Sequence, residues 1–422
     1  MIGAGGREHA LVRALARSPQ RPELIAAPGN AGIARDGVEC VDLAVEDVDG
    51  IVALARARSV DLVVVGPEAP LVQGLVDALG DARVRAFGPS AAAAKIEGSK
   101  VYAKELMKDV GVPTAGHAVF RTREDAAANL PCFSFPAVLK ADGLAAGKGV
   151  LICPTEQDGR DALDVFFGEE RFGRTRLLVE EFLEGEELSL LALCDGQTAV
   201  PMAPAQDYKR IFDDDEGPNT GGMGSYSPVP GVDAERARDL AAVVHQPIVD
   251  ELRRRGTPFH GVLYAGLMMT AAGPKVLEYN ARFGDPETQA VLPRLRSDLL
   301  DVLDRSVRFG GLDEAELDWS PDYAVSVVLA SAGYPLSSSS GDVITGIEAA
   351  GAGDGVEVLH AGTTEVNGDI VTAGGRVLNV TGTGPTPAAA RERAYAAADK
   401  IDFDGKQLRR DIAARAAQKV EA

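Results

Sequence analysis

Pro136–Cys153 reads PAVLKADGLAAGKGVLIC. Two β-rich runs flank a loop carrying Gly143, Gly147, Lys148 and Gly149, and the first run ends on Lys140. Glycines let backbone N–H groups close over a phosphate, and two cations neutralise it. The pattern predicts a hairpin lid over a nucleotide. A P-loop needs four residues between its glycines, then Gly-Lys-Ser/Thr opening a helix. Here three residues separate Gly143 from Gly147, Gly149 replaces the hydroxyl, and VLIC is strand-like, which excludes it. An ordinary glycine-rich turn is the plain alternative.

Downstream, RLLVEEFLEGEELSLLAL (176–193) gives two strand-like runs joined by an acidic turn. Backbone at Glu180, Glu181, Phe182 and Leu183 suits an adenine edge, and Glu186 or Glu187 suits ribose hydroxyls; an acidic hairpin turn reads equally well. Residues 205–228 form a long polar stretch dense in Gly, Pro, Asn and Asp, expected to be a functional loop. Asp207, Lys209 and Arg210 would face a ligand there, and Asp213–Glu216 would be solvated surface. In PKVLEYNARFGDPET (274–288), strand alternation puts Glu278 and Asn280 on one face. One carboxylate with nucleotide phosphates suits magnesium. Arg282 suits a bidentate phosphate or carboxylate contact.

Upstream, GAGGREH (3–9) feeds an amphipathic helix, whose N-terminus is a ready anion site with Arg7 beside it. Glu8 stands where a dinucleotide fingerprint needs glycine, which argues for phosphate over NAD. Strand-like runs then alternate with helices to about residue 90, a parallel α/β pattern in which ligands collect at strand ends. Pro28–Asn30 and Gly66–Pro70 are candidate substrate loops, with simple turn chemistry as the alternative. Ala91–Val110 reads as one helical run with Lys100 and Lys104 on one face, either ligand-facing or solvated. After Trp319 and Pro321, short strands, an SSSSGDV linker and two helices predict a small α+β domain. Its Gly374, Gly375 and Arg376 either reach the neighbouring site or form a surface turn.

The composition, 45% hydrophobic and 25% charged over 422 residues, is that of a globular protein. A formal charge of -20 repels nucleic acid and anionic membrane, so anionic ligands need local cations. Four scattered cysteines and five histidines without metal spacing argue against zinc and disulfides. No leader or long apolar run appears, which predicts a protein of the reducing cytosol, and we expect a monomer.

Taken in order, GGREHA, GPEAPL, EGSK, KADGLAAGKGV, VEEFLEGEE, GPNTGGMGSYSP and EYNARFGDPET resemble the phosphoribosylamine–glycine ligase family of ATP-grasp enzymes over nearly the whole chain. The resemblance implies an α/β and α+β multidomain protein. Its expected parts are an N-terminal parallel α/β domain (1–95), an ATP-grasp core (96–300) with a lid at about 118–183, a linker (301–320) and a C-terminal α+β domain (321–422). It implies ATP-dependent joining of glycine to 5-phosphoribosylamine through glycyl phosphate, with Mg²⁺ or Mn²⁺. Lys100, Lys104, Lys140, Gly147, Lys148 and Gly149 would meet ATP phosphates, with Lys140, Lys148 and Arg282 at the reacting group. Glu180, Glu181 and Leu183 would meet adenine, Glu187 the ribose, and Glu278 and Asn280 the metal. Gly5, Gly6, Arg7, Glu8, Pro67, Glu68 and Ala69 would meet phosphoribosylamine. Asp207, Lys209, Arg210, Asn219, Thr220, Gly221 and Gly222 would complete the substrate contacts.

Two departures and two rivals stand beside this. GVLYAGLMM (261–269) lacks the carboxylate that many ATP-grasp enzymes carry on that strand, leaving further metal ligands open. Only Met1 and Ile2 precede Gly3, where the family has an apolar strand. Three or four missing aliphatic side chains would forfeit about 5–10 kcal/mol, against about 5–15 kcal/mol for a domain, so an earlier native start is expected. Another ATP-grasp carboxylate–amine ligase is disfavoured by the GPNTGGMG loop and the lack of Met-Lys-Met. A non-catalytic nucleotide-binding module would have no need of Glu278 and Asn280.

Overall fold

The computed structural model describes residues 1–144, 149–168 and 176–421. The N-terminal unit is all-parallel. Ile2–Gly3 pairs with Ile25–Pro28, which pairs with Glu39–Cys40. Val63–Val64 pairs with Ala86–Phe87, and an Ile2–Val65 bridge joins the two groups, so Ile2 lies in the middle. The inner strands Ile2–Gly3 and Val63–Val64 are short runs buried on both faces, as parallel sheets require, while the edge strand Glu39–Cys40 is partly exposed. The expected run Ala91–Val110 is broken at Ser99 into helices Ala91–Gly98 and Lys100–Val110. The Ser99 hydroxyl accepts from Tyr102 N–H at 3.1 Å and so starts the second helix on Lys100.

Four antiparallel strands make the central sheet, in the order Ala199–Pro201, Glu186–Asp195, His260–Thr270, Gly273–Asn280. On Glu186–Asp195, Leu188, Leu190, Ala192 and Cys194 face one apolar cluster, and Leu191 and Leu193 another. That accounts for the nearly unbroken LSLLALC run. The first cluster continues into Ile51, Leu75 and Leu79 of the N-terminal unit, so the two units share a core. The stretch expected to be a linker, 301–320, buries Val302, Leu303 and Leu312 in the second.

The lid is a separate sheet, ordered His117–Phe120, Leu177–Glu181, Ala137–Ala141, Val150–Cys153, with its own core. Ala137–Ala141 and Val150–Cys153 pair antiparallel as the expected hairpin. The two runs of 176–193 do not form a hairpin. Leu177–Glu181 enters the lid and Glu186–Asp195 the central sheet, so Phe182–Gly185 is the link between them.

The stretch 205–228 also differs from expectation. It holds four short strands, of which Gln206–Asp207 and Gly224–Ser227 extend the C-terminal sheet of Tyr323–Ala330, Arg376–Gly384 and Val356–His360. Asp213–Asp215 are exposed, yet Asp215 pairs with Arg409 at 2.8 Å and Asp213 accepts from Arg410 N–H. The SSSSGDV linker contributes the strand Ser340–Val343.

Histidines tie the N- and C-terminal units together. His9 Nδ1 accepts from His360 N–H at 2.8 Å, and its Nε2 lies 3.0 Å from Asp36. Burial, then His9, Arg13 and Arg35, push His360 down to about 3, and burial pushes His245, in the core, down to about 4. Each is neutral when folded and takes up a proton on unfolding near pH 6.5, so the unfolded state binds more protons below that pH. Stability is complete above about pH 6.5 and is lost as pH falls toward the folded values. Thermal unfolding from about pH 7.5 to 5 should show a falling Tm, with a shallower slope in His360→Gln. Equal slopes would contradict this.

Candidate active site

A cavity of about 1170 Å³ lies where all four units meet. Its wall includes the end of Gly273–Asn280. There Tyr279 turns into the core, while Glu278 and Asn280 border the cavity as alternation predicts. Burial pushes the Glu278 carboxyl up, but Lys209, Lys140, Lys100 and Arg282 together hold it below its usual range. Across the sheet Gly266 pairs with Glu278 and Tyr264 with Asn280, so no carboxylate comes from that strand. Among the described residues, no group of three or more His, Cys, Asp or Glu is placed to hold a metal. Glu278 and Asn280 are an oxygen pair suited to a hard cation that takes its other ligands from phosphate and water.

Lys100 and Lys104 turn inward rather than into solvent. Lys100 Nζ donates to Gly143 O at 2.9 Å, at the base of the lid loop. Lys104 and Lys140 clasp Glu180 from either side, at 2.9 and 2.8 Å, with Glu180 only 2% exposed. Burial raises the Glu180 carboxyl, and the lysines more than reverse it. The Glu180 side chain is thus committed to the lysines, and the residue still borders the cavity. Glu181 accepts from Lys275 at 2.8 Å and its N–H donates to Gly116 O, so Leu183, on the link, keeps the clearer access to a base. Gly149 borders the cavity; Gly147 and Lys148 lie outside the described residues.

Opposite the lid, Glu187 pairs with Lys209 at 2.8 Å. Burial, with Glu287, Glu187 and Glu278, pushes Asp207 up to about 7 against the pull of Lys209. Arg210, Asn219, Thr220 and Gly221 border the cavity, and Arg210 donates one of its N–H groups to Gly217 O. Gly222 does not line it. With φ 108° and a would-be Cβ 2.3 Å from Pro286, it is the turn that lets its neighbours in.

Arg282 is held between Glu68 and Glu97 at 3.2 and 3.3 Å. Arg7, Pro67 and Glu68 border the cavity; Ala69 does not. Glu8 departs from its expected role. Its oxygens accept from Gly5 N–H at 2.7 Å and Arg7 Nε at 2.6 Å, and it packs where a Cβ on Gly66 would lie 2.1 Å away. It clasps the turn from inside rather than meeting substrate. Gly6 abuts Asn379 and Gln289, and Gly5 opens on a second, smaller cavity.

Several cavity residues escaped sequence reasoning. Glu97, inside the EGSK motif, accepts from Ala281 N–H at 2.6 Å, a contact 184 residues distant. Glu287, in GDPET, is buried and accepts from Ser189 at 3.0 Å. Asp285 pairs with Arg376 at 3.1 Å, which settles Arg376 as a cavity residue rather than a surface turn.

Family models described as phosphoribosylglycinamide synthetase match the chain in three parts: the N domain at 1–97, the ATP-grasp (A) domain at 98–288 and the C domain at 324–415. The phosphoribosylamine–glycine ligase of Streptomyces coelicolor is 49% identical over 99% of both chains. That of Rhodopirellula baltica is 47% identical over 99% of this chain and 97% of its own. The crystal structure of the Thermotoga maritima enzyme of that name superposes with a TM-score of 0.83 at 36% identity, covering 97% and 98% of the two chains. A biotin carboxylase domain from Hydrogenobacter thermophilus, in complex with MgADP, reaches 0.72 at 16% identity over 96% and 90%, which shows the shared ATP-grasp fold alone. With all three domain models matched in order, this chain belongs to the phosphoribosylglycinamide synthetase family.

Proposed function

We propose that the chain joins glycine to 5-phosphoribosylamine at the expense of ATP, giving glycinamide ribonucleotide, ADP and phosphate in purine biosynthesis. The observation that carries this reading is one cavity in which Lys100, Lys140 and Arg282 surround the oxygen pair Glu278 and Asn280, in a chain whose residues 1–97, 98–288 and 324–415 match the family's three domains. A glycine carboxylate oxygen attacks the γ-phosphorus and the bond to ADP breaks, leaving glycyl phosphate. The amine of phosphoribosylamine then attacks the acyl carbon, phosphate departs, and the amine gives up one proton.

The side chains act by placement and charge. Lys100 and Lys140 neutralise the phosphate chain, and Arg282, fixed by two carboxylates, faces the transferred group without reorganising. Glu278 and Asn280 would hold Mg²⁺ or Mn²⁺, which when bound neutralises charge on the phosphate oxygens. The lid excludes water from an acyl phosphate that would otherwise hydrolyse. The net charge of -20 argues against polyanionic partners, and no helix among the described residues is long and apolar enough to cross a membrane. This reading is of a monomer working in the cytosol.

ADP release followed with each substrate omitted in turn tests the reaction: full turnover requires both glycine and phosphoribosylamine. Turnover with either absent would overturn it. Glu278→Gln should lower kcat about 10²–10³-fold while leaving the Tm within a few degrees; a matching collapse of Tm would assign the residue to folding instead. Hydrogen exchange in 140–150 should slow when ATP and Mg²⁺ are added, and no change would rule out lid closure.

A further inference from the structure

The last helix, Ala414–Glu421, borders the large cavity with Arg415, Ala416 and Lys419. Ala416, 1% exposed, packs with Tyr226 and Ile412. Just before the helix, Ala413 N–H donates to the Tyr208 hydroxyl at 2.9 Å, so the helix is seated on the cavity wall. Arg415 and Lys419 are four residues apart, hence on one face, and both are exposed. We propose that this pair is an electrostatic entrance, which raises the concentration of the anionic nucleotide at the cavity mouth without touching its phosphates. The proposal extends the nucleotide site of the ligase reading and rests on it.

The charge balance of the wall shows why two cations matter. Among the described residues, ten lysines and arginines and eleven aspartates and glutamates border the cavity, so the wall is close to neutral in a chain of net charge -20. Two of those ten cations stand on this helix. The three exposed carboxylates on the wall already have partners: Glu181 in Lys275, Glu186 in Lys419 and Asp215 in Arg409, at 2.8, 2.6 and 2.8 Å. Arg415 has no ion pair among the described residues, so its charge is left over. The pair of Glu186 and Lys419 is 67% and 53% exposed, a setting in which water weakens the contact and leaves the lysine available to a passing anion.

Position separates this role from that of the inner lysines. Glu186 directly follows the link Phe182–Gly185, where Leu183 has access to the base. Its partner Lys419 therefore stands at the base end of the nucleotide, while Lys100 and Lys140 serve the phosphate end. Attraction from there acts through the field over a distance, and a field at an exposed rim is screened by salt. A charge of this kind governs arrival more than residence.

Calorimetric titration of the full chain with Mg-ATP at low and high salt provides the test. The Debye length falls from about 20 Å at about 20 mM salt to about 4 Å at about 500 mM. Arg415→Glu with Lys419→Glu should weaken binding about 10-fold at the lower salt and less than about 2-fold at the higher. Arg415→Gln with Lys419→Gln, half the change of charge, should weaken it about 3-fold at the lower salt. Lys108→Glu with Arg236→Glu makes the full change of net charge at exposed residues that do not border the cavity, and should stay within about 2-fold of the wild type. Wild-type affinity in the first two variants at low salt, a loss of equal size at both salts, or the same loss in the third variant overturns the entrance. Binding needs no turnover, so the two readings fail separately. If the salt-dependent loss is absent while ADP release still requires glycine and phosphoribosylamine, the ligase reading stands without the entrance. If the loss appears with no ligase turnover, the entrance stands and the ligase reading falls.

Discussion

Glu180 lies near the end of a lid strand, Lys140 on the neighbouring lid strand, and Lys104 projects from a core helix, so one carboxylate between two lysines joins lid to core. Lys140 also donates to Leu277 O at 3.2 Å, beside Glu278. Removing one member of such a buried set typically costs about 3–5 kcal/mol, because the other charges stay buried unpaired. What this arrangement secures is position. Lys140 keeps its cation at the cavity wall in a protein that is strongly acidic overall.

The same solution recurs around the cavity. Arg282 is fixed by Glu68 and Glu97, Lys209 by Glu187 and Arg376 by Asp285, each with a carboxylate behind it, whereas Lys100 is held by the Gly143 carbonyl. Anchored charges stabilise developing charge without waiting for side chains to reorganise, which suits phosphoryl transfer better than acid–base chemistry. The acidic composition and the anionic substrates are therefore compatible, since the carboxylates that lower the net charge also hold the cations in place.

Motifs with a local physical rule were legible in the sequence. The lid hairpin followed from glycine and strand pattern, and the shared face of Glu278 and Asn280 from period-two alternation. What failed needed partners distant in sequence. Glu8 was read as substrate-facing, but its partners are Gly5, Arg7 and a glycine on another loop. The run through 180–187 looked like a hairpin because nothing local says that its halves join different sheets. Residues 205–228 looked like a loop because their strands are short and one of them, Gly224–Ser227, pairs with a strand about a hundred residues away. Glu97 and Glu287 sat inside quoted motifs, yet burial beside Arg282 and Ser189 is a tertiary fact.

The central claim is that the cavity directs a carboxylate oxygen onto the γ-phosphate. Glycine labelled with ¹⁸O in its carboxylate tests this in a single turnover. The account predicts one labelled oxygen in the released inorganic phosphate, because the oxygen that attacked phosphorus leaves with it when the amine takes the acyl carbon. Phosphate free of label, with ADP and glycinamide ribonucleotide formed in equal amounts, would contradict it.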